Sequence, residues 1–177
     1  MNARTTAILF AGLRAFPAHR FIMLRDLRIR LATSNDLPAV ATVVAACNLQ
    51  VDDLGGAVDP LLGGDQDAFH VAELNGEIIG CAGVERFDDV AVIRSVAVLP
   101  KYRQQGVATH LVSAVLMRAR AQGARRAVLA TSHAPSYFSR YGFTLISAET
   151  LPAAVRASHT LKIAGIPPAL CMHCELR

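Results

Sequence analysis

Between Phe69 and Leu99 the chain carries three apolar runs separated by two tight polar turns, and few folds accommodate that arrangement. The first two runs, Phe69 to Leu74 and Glu77 to Phe87, flank Asn75-Gly76. Both turn residues tolerate positive φ, as a type I′ turn requires, so the spacing predicts a hairpin. Asp88-Asp89 reads as a second turn into Val90 to Leu99, which completes a three-stranded antiparallel meander. A helix follows. Gly106 to Gln122 places Val107, Leu111, Val112, Val115, Leu116 and Ala119 at helical spacing and stops before Gly123, a suitable C-cap.

The flanking segments extend the pattern. Leu27 to Leu31 alternates with period two, and Thr33-Ser-Asn-Asp36 resembles a helix-capping box. Leu37, Val40, Val43, Val44 and Cys47 then recur at helical spacing, predicting a helix with one face on a sheet. Residues 50–67, rich in glycine and aspartate, read as a loop with at most one short helix. Beyond the long helix, Arg126 to Thr131 is a short buried strand and Pro135 to Tyr141 a short helix, with strands at Phe143 to Ile146 and Leu170 to Leu176. Residues 23–177 form one expected domain. Residues 1–22 contain Arg4, Arg14 and Arg20 but no acidic residue, and read as an extension: an upstream start, an extra helix or a transit peptide.

Composition narrows the function. A length of 177 residues suits a single domain, and 53% hydrophobic content is ample for a core. Polar groups interrupt every apolar run before the roughly 18 to 20 residues needed to cross a bilayer, so no membrane span is expected. The net charge of +4 comes from arginines scattered along the chain, without a basic stripe or interleaved aromatics, which argues against nucleic acid as a partner. Four cysteines make no secreted disulfide framework, and Cys47 and Cys81 lie in apolar runs, so a reducing cytoplasm fits. Cys171 and Cys174 have half the spacing of a metal site, but no second ligand pair accompanies them, and on a strand they face opposite sides. No metal is expected.

The densest signal is the span from Ile93 to Ala108, where an apolar strand passes through Pro100 and Arg103 into the glycine that opens the long helix. A helix N-terminus leaves backbone N–H groups unpaired and carries partial positive charge, so it receives phosphate groups well. Gly106 lets the backbone approach such a ligand without a Cβ in the way, Ala108 keeps the next contact small, and Arg103 adds a full charge. The span resembles the cofactor motif of the GNAT superfamily, with Val96-Ala97-Val98, Pro100, Arg103, Gly106 and Ala108 at the matching positions. Tyr141-Gly142-Phe143 after a short helix is a second marker, and the resemblance covers Leu27 to the C-terminus. It implies the GNAT fold, an α/β architecture with a mixed, mostly antiparallel central sheet flanked by helices. It also implies acetyl-CoA as co-substrate, held by Val96, Ala97, Val98, Arg103, Gln104, Gln105, Gly106, Val107, Ala108 and Thr109, and transfer of the acetyl group to a primary amine.

The catalytic positions depart from that pattern. Many GNAT enzymes place a glutamate four residues before the first valine of the triplet and a tyrosine four before the glycine of the Gly-Phe pair; this chain has Val92 and Phe138 there. Glu85, at the end of the preceding strand, is the first choice for a general base and His133 the second. Tyr137 serves as acid only if the short helix is rotated, because adjacent helical residues point about 100° apart. Each also has a plain structural reading: a solvated strand-end carboxylate, a loop residue and a packing group. Strand alternation puts Arg94 on the face of Val92 and Val96, looking into the acceptor pocket, where it either binds an acceptor oxyanion or pairs with Glu85 across the meander. The runs Ile93 to Val98 and Tyr137 to Phe143, with Leu151-Pro152 and Met172, are similar to arsenic-resistance-associated GNAT proteins and amino-acid N-acetyltransferases. That similarity implies a small-molecule amine acceptor, an amino acid or amino-acid-like toxin, and Arg156 to Ala169 departs from it. Acetylation of a peptide N-terminus, with residues 50–67 receiving a basic chain, and a non-catalytic acyl-CoA-binding module are the alternatives.

Overall fold

A computed structural model describes residues 24–49, 67–163 and 170–176. The extension at 1–22 and nearly all of the glycine-rich segment from 50 lie outside the described residues. Within them, seven strands form one sheet in the order β1-β2-β3-β4-β5-β7-β6. These are β1 (Arg28–Leu31), β2 (Asp67–Leu74), β3 (Glu77–Phe87), β4 (Val90–Val98), β5 (Arg126–Thr131), β6 (Thr144–Leu145) and β7 (Leu170–Glu175). Every neighbouring pair is antiparallel except β4 and β5. The helices are α1 (Leu37–Ala46), α2 (Val107–Ala121), α3 (Pro135–Ser139), α4 (Ala153–Arg156) and α5 (His159–Ile163).

The meander forms as the turn residues dictate. Asn75 and Gly76 have φ of 51° and 80°, and Leu74 pairs with Glu77 across the turn. Asp88, at φ 50°, turns the chain so that Phe87 pairs with Val90. Helix α2 ends where Gly123 adopts φ 92°, and its last carbonyls are satisfied by Gly123 N–H to Arg120 O and Ala124 N–H to Ala119 O, each 3.0 Å. The helix is the crossover that makes β4 and β5 parallel.

Both faces of the sheet are covered. Helix α2 packs Leu111, Val112 and Val115 over Ile79, Val84, Ala91 and Ile93. The opposite face carries α1, with Val40, Val43 and Val44 on Phe69, Val71, Cys81 and Ala97. Beside it, Leu151, Val155 and Leu161 cover Val90, Val92 and Val128. The start of α1 is tied to the sheet edge: Thr33 N–H and Oγ1 both donate to Asp36 Oδ2, at 2.7 and 2.9 Å, and Arg30 forks onto both Asp36 oxygens at 2.7 and 2.9 Å. The Arg30 hydrogen bonds hold the Asp36 carboxyl well below the usual carboxylate range.

Four elements differ from expectation. Helix α3 stops at Ser139, because Gly142 at φ 83° redirects the chain; β6 is only Thr144–Leu145; and α4 and α5 are unforeseen, α4 leading into the segment that departs from the family pattern and α5 lying within it. Cys171 packs with Val90 and Val128 while Cys174 packs on the α2 side, the opposite orientation that strand alternation requires.

Candidate active site

The parallel ladder between β4 and β5 runs from Val90–Arg126 to Val92–Val128. Past it, a cleft of about 630 Å³ lies between Ile93 to Val98 on one wall and Leu129 to Ala134 on the other. It opens at the carboxyl ends of a parallel pair joined by a helix, where α/β sheets commonly receive ligands. A bulge shapes the β4 wall. Ser95 adopts φ 50°, and the register passes from Gly83–Arg94 to Cys81–Ala97, so that Ser95 and Val96 together face Ala82.

The bulge reverses alternation, and one expectation is corrected by it. Arg94 does share a face with Val92, but Val96 does not: it packs against the α2 cluster, while Arg94 sits over Phe69 of the α1 cluster. Arg94 and Val96 both line the cleft, from opposite sides of the bulge.

At one end of the cleft is the start of α2. Gly106 is its N-cap at φ 82°, no side chain caps the helix, and a Cβ built on Gly106 meets nothing within 4 Å. Open space before a helix N-terminus, whose first N–H groups have no partner within the helix, can receive an anion. Val96, Ala97, Val98, Arg103 and Ala108 of the expected cofactor set line the cleft. Arg103 is oriented by Nε donating to Val98 O at 2.9 Å and by an Nη2 contact to Cys47 Sγ at 3.3 Å, so Cys47, expected only to pack, also orders this arginine. Gln104, Gly106 and Thr109 are exposed around the helix start, Gln105 donates to Lys101 O at 3.3 Å, and Val107 is turned into the core at 1% exposure, leaving its backbone alone for a ligand.

Further along lies Arg94. Its Nε is 3.2 Å from Glu85 Oε1, with side chains 5% and 9% exposed. Its Cζ stands 4.9 Å from the Phe69 ring centroid, a cation–π contact. Gly83 makes room for this packing, since a Cβ there would come within 2.8 Å of Phe69 Cζ and 3.0 Å of Arg94 Cγ. Thr160, on α5, donates to the same Glu85 Oε1 at 2.7 Å. Glu85 is therefore a buried carboxylate rather than a solvated strand end, and its register partner is Val92. Arg94 and Thr160 line the cleft.

His133 and Tyr137 complete the opposite wall, His133 exposed and Tyr137 half-buried. Tyr137 Oη is 2.9 Å from Tyr141 Oη, and burial, followed by that hydrogen bond, raises its pKa above the ordinary tyrosine value. Phe138 also reaches the cleft while packing edge-on to Phe143 with centroids 6.0 Å apart, so the single turn of α3 presents both neighbours there. Thr160, Phe69 and Gly83 escape a reading of the sequence. Only Gly83 carries a signal, as a glycine inside an apolar strand marks a close approach.

Residues 44–143 match the family described as Acetyltransferase (GNAT) family. The amino-acid acetyltransferase of Pseudomonas fluorescens (strain Pf0-1) is 37% identical over 94 residues, which are 52% of this chain and 22% of that protein. That of Mannheimia succiniciproducens is 29% identical over 126 residues, 70% of this chain and 28% of the relative. The chain thus spans under a third of these curated relatives. Among solved structures, N-acetylglutamate synthase from Neisseria gonorrhoeae, complexed with coenzyme A and N-acetyl-glutamate, superposes with TM-score 0.69 at 21% identity, over 85% of this chain and 35% of that one. The Mycobacterium tuberculosis protein Rv2747, solved with CoA, superposes with TM-score 0.67 at 25% identity, over 85% and 99% of the two chains. The sheet order, the cleft past the parallel pair and a family match over more than half of the 177 residues converge: the chain belongs to the acetyltransferase (GNAT) family.

Proposed function

We propose that this chain transfers the acetyl group of acetyl-CoA directly to the primary amine of a small amino acid or amino-acid-like toxin, whose carboxylate is received by Arg94. The observation that carries the reading is Arg94 itself, a buried guanidinium on the wall of the cleft, fixed by Glu85 and Phe69. A planar fork of donors in a site shielded from water suits a carboxylate. The relatives named amino-acid acetyltransferase support it.

The residues divide the work by position. Helix α2, through Gly106, Val107 and Ala108, offers backbone N–H groups to a pyrophosphate, and Arg103 adds charge beside it. The β4 backbone from Val96 to Val98, past the end of the ladder with β5, is placed to hold the pantetheine arm as an added strand would be held. A backbone N–H at Val96 or Ala97 stabilises the oxyanion of the tetrahedral intermediate. Bound acetyl-CoA supplies the thioester that the amine attacks. Tyr137, protonated at neutral pH as an ordinary tyrosine is, donates to the departing thiolate. The amine's proton passes to His133 or to water, since His133 lines the cleft whereas Glu85 does not and is paired with Arg94.

Arg94→Lys tests the reading. It keeps a cation beside Glu85, avoiding the loss of about 3 to 5 kcal/mol that an orphaned buried charge brings, but it removes the fork. The acceptor kcat/KM should fall about 10- to 100-fold, the worth of a charge-assisted hydrogen bond, with acetyl-CoA affinity held within about twofold. Unchanged acceptor kcat/KM would reject Arg94 as the anchor.

A further inference from the structure

We propose that Thr160 and Glu85 are positioning residues: the Thr160 hydroxyl pins the Glu85 carboxylate, which aims the Arg94 guanidinium into the cleft, so that α5 completes the acceptor end of the site. The inference rests on the carboxylate-binding reading of Arg94 and extends it to residues that do not contact the reacting atoms.

A buried carboxylate is stable only when its charge is paired and its oxygens are hydrogen-bonded. Glu85 has one ion pair and one hydrogen bond, both at Oε1. Arg94 approaches Oε1 from the neighbouring strand, at 3.2 Å, and Thr160 donates to Oε1 from 75 residues away in sequence, at 2.7 Å. The second distance is in the range of a charge-assisted O–H···O⁻ bond. The guanidinium is thus held by an ion pair with Glu85 on its Nε side and by the Phe69 ring against its face, while Gly83 leaves room for the stem beside β3. Ion pair and ring contact together restrict the plane of the guanidinium, and a prefixed plane is what makes an arginine fork selective for a planar anion.

Thr160 is itself held firmly. Ser158 Oγ accepts Leu161 N–H at 3.3 Å, and Leu161, 4% exposed, packs with Val92 and Val128 on the sheet beneath. Val92 is the register partner of Glu85, so the residue that anchors α5 stands beside the one that Thr160 bonds. Docking of α5 and aiming of Arg94 are therefore one event. Glu85, paired with Arg94 and set behind the residues that line the cleft, acts on the acceptor through Arg94 and not by taking its proton.

The test uses the full chain with acetyl-CoA and matched acceptors, an amino acid and its amide. Thr160→Val removes the hydroxyl with little change of shape and should raise the acceptor KM about tenfold, with kcat within about threefold and acetyl-CoA Kd unchanged. Thr160→Ser should restore KM, and Thr160→Val should narrow the preference for the amino acid over its amide. Glu85→Gln should likewise act on KM and leave the acidic limb of the pH profile of kcat/KM in place. Wild-type KM in Thr160→Val overturns the inference alone if the wild type still prefers the amino acid. A fall of about 100-fold in kcat for Glu85→Gln, with loss of the acidic limb, would make Glu85 the general base and overturn it as well. Equal use of acid and amide by the wild type would remove the carboxylate reading and this inference with it.

Discussion

Replacing Gly106 separates what the helix start does for the fold from what it does for the co-substrate. Gly106 sits at φ 82°, and a Cβ there touches nothing of the protein. An L-residue in the left-handed region costs roughly 1 to 2 kcal/mol, which for a domain of this size lowers Tm by about 2 to 8 °C. The same added carbons would occupy the space before the first turn of α2, the proposed site of the pyrophosphate. Pushing an anion off one helix N–H forfeits about 1.5 to 3 kcal/mol, or about 10- to 100-fold in affinity. Gly76→Val is the control: its φ is 80°, a Cβ there also meets nothing within 4 Å, and it lies in the hairpin turn rather than at the cleft. Calorimetry with acetyl-CoA should show a loss of at least about tenfold for Gly106→Val and none for Gly76→Val, with comparable falls in Tm. A folded Gly106→Val that kept its affinity within about twofold would refute that site.

Two further expectations concern single groups. Tyr137→Phe should lower kcat about tenfold or more at neutral pH without altering acetyl-CoA Kd, and an unchanged kcat in steady-state assays where chemistry limits the rate would remove Tyr137 as the acid. His70, buried on β2 and with Arg118 nearby, has its pKa lowered to about 4, first by burial and then by that charge. Its unfolded value is about 6.5, so the unfolded chain binds the extra proton first: the stability it contributes is complete above about pH 6.5 and is lost as pH falls toward 4. Denaturant titrations should show stability falling by up to about 1.4 kcal/mol per pH unit in that window, a slope that His70→Gln abolishes.

Much of the sheet was legible because its turns are written in residues that tolerate positive φ. Asn75-Gly76 and Asp88-Asp89 fixed the meander, and Gly123 fixed the end of α2, which the periodicity of Val107 to Ala119 had already marked. The bulge was not legible. Ser95 carries no mark of its φ of 50°, and without it strand alternation sends Val96 to the wrong face. Helices α4 and α5 are too short for a helical period to show, so nothing in the sequence marks Thr160. The glutamate–arginine pair was one of two readings open for Arg94, but burial of both partners and the threonine that joins them depend on contacts distant in sequence.

The most direct test of transfer to an amino acid is release of free CoA thiol by the wild-type chain with three matched acceptors: an amino acid, its amide and its decarboxylated amine. The buried Arg94 fork predicts that the amino acid is used with a kcat/KM about 10- to 100-fold above both uncharged analogues. Equal rates with all three would assign Arg94 to structure and favour a peptide N-terminus as acceptor, and binding of acetyl-CoA without thiol release from any amine would contradict catalysis itself.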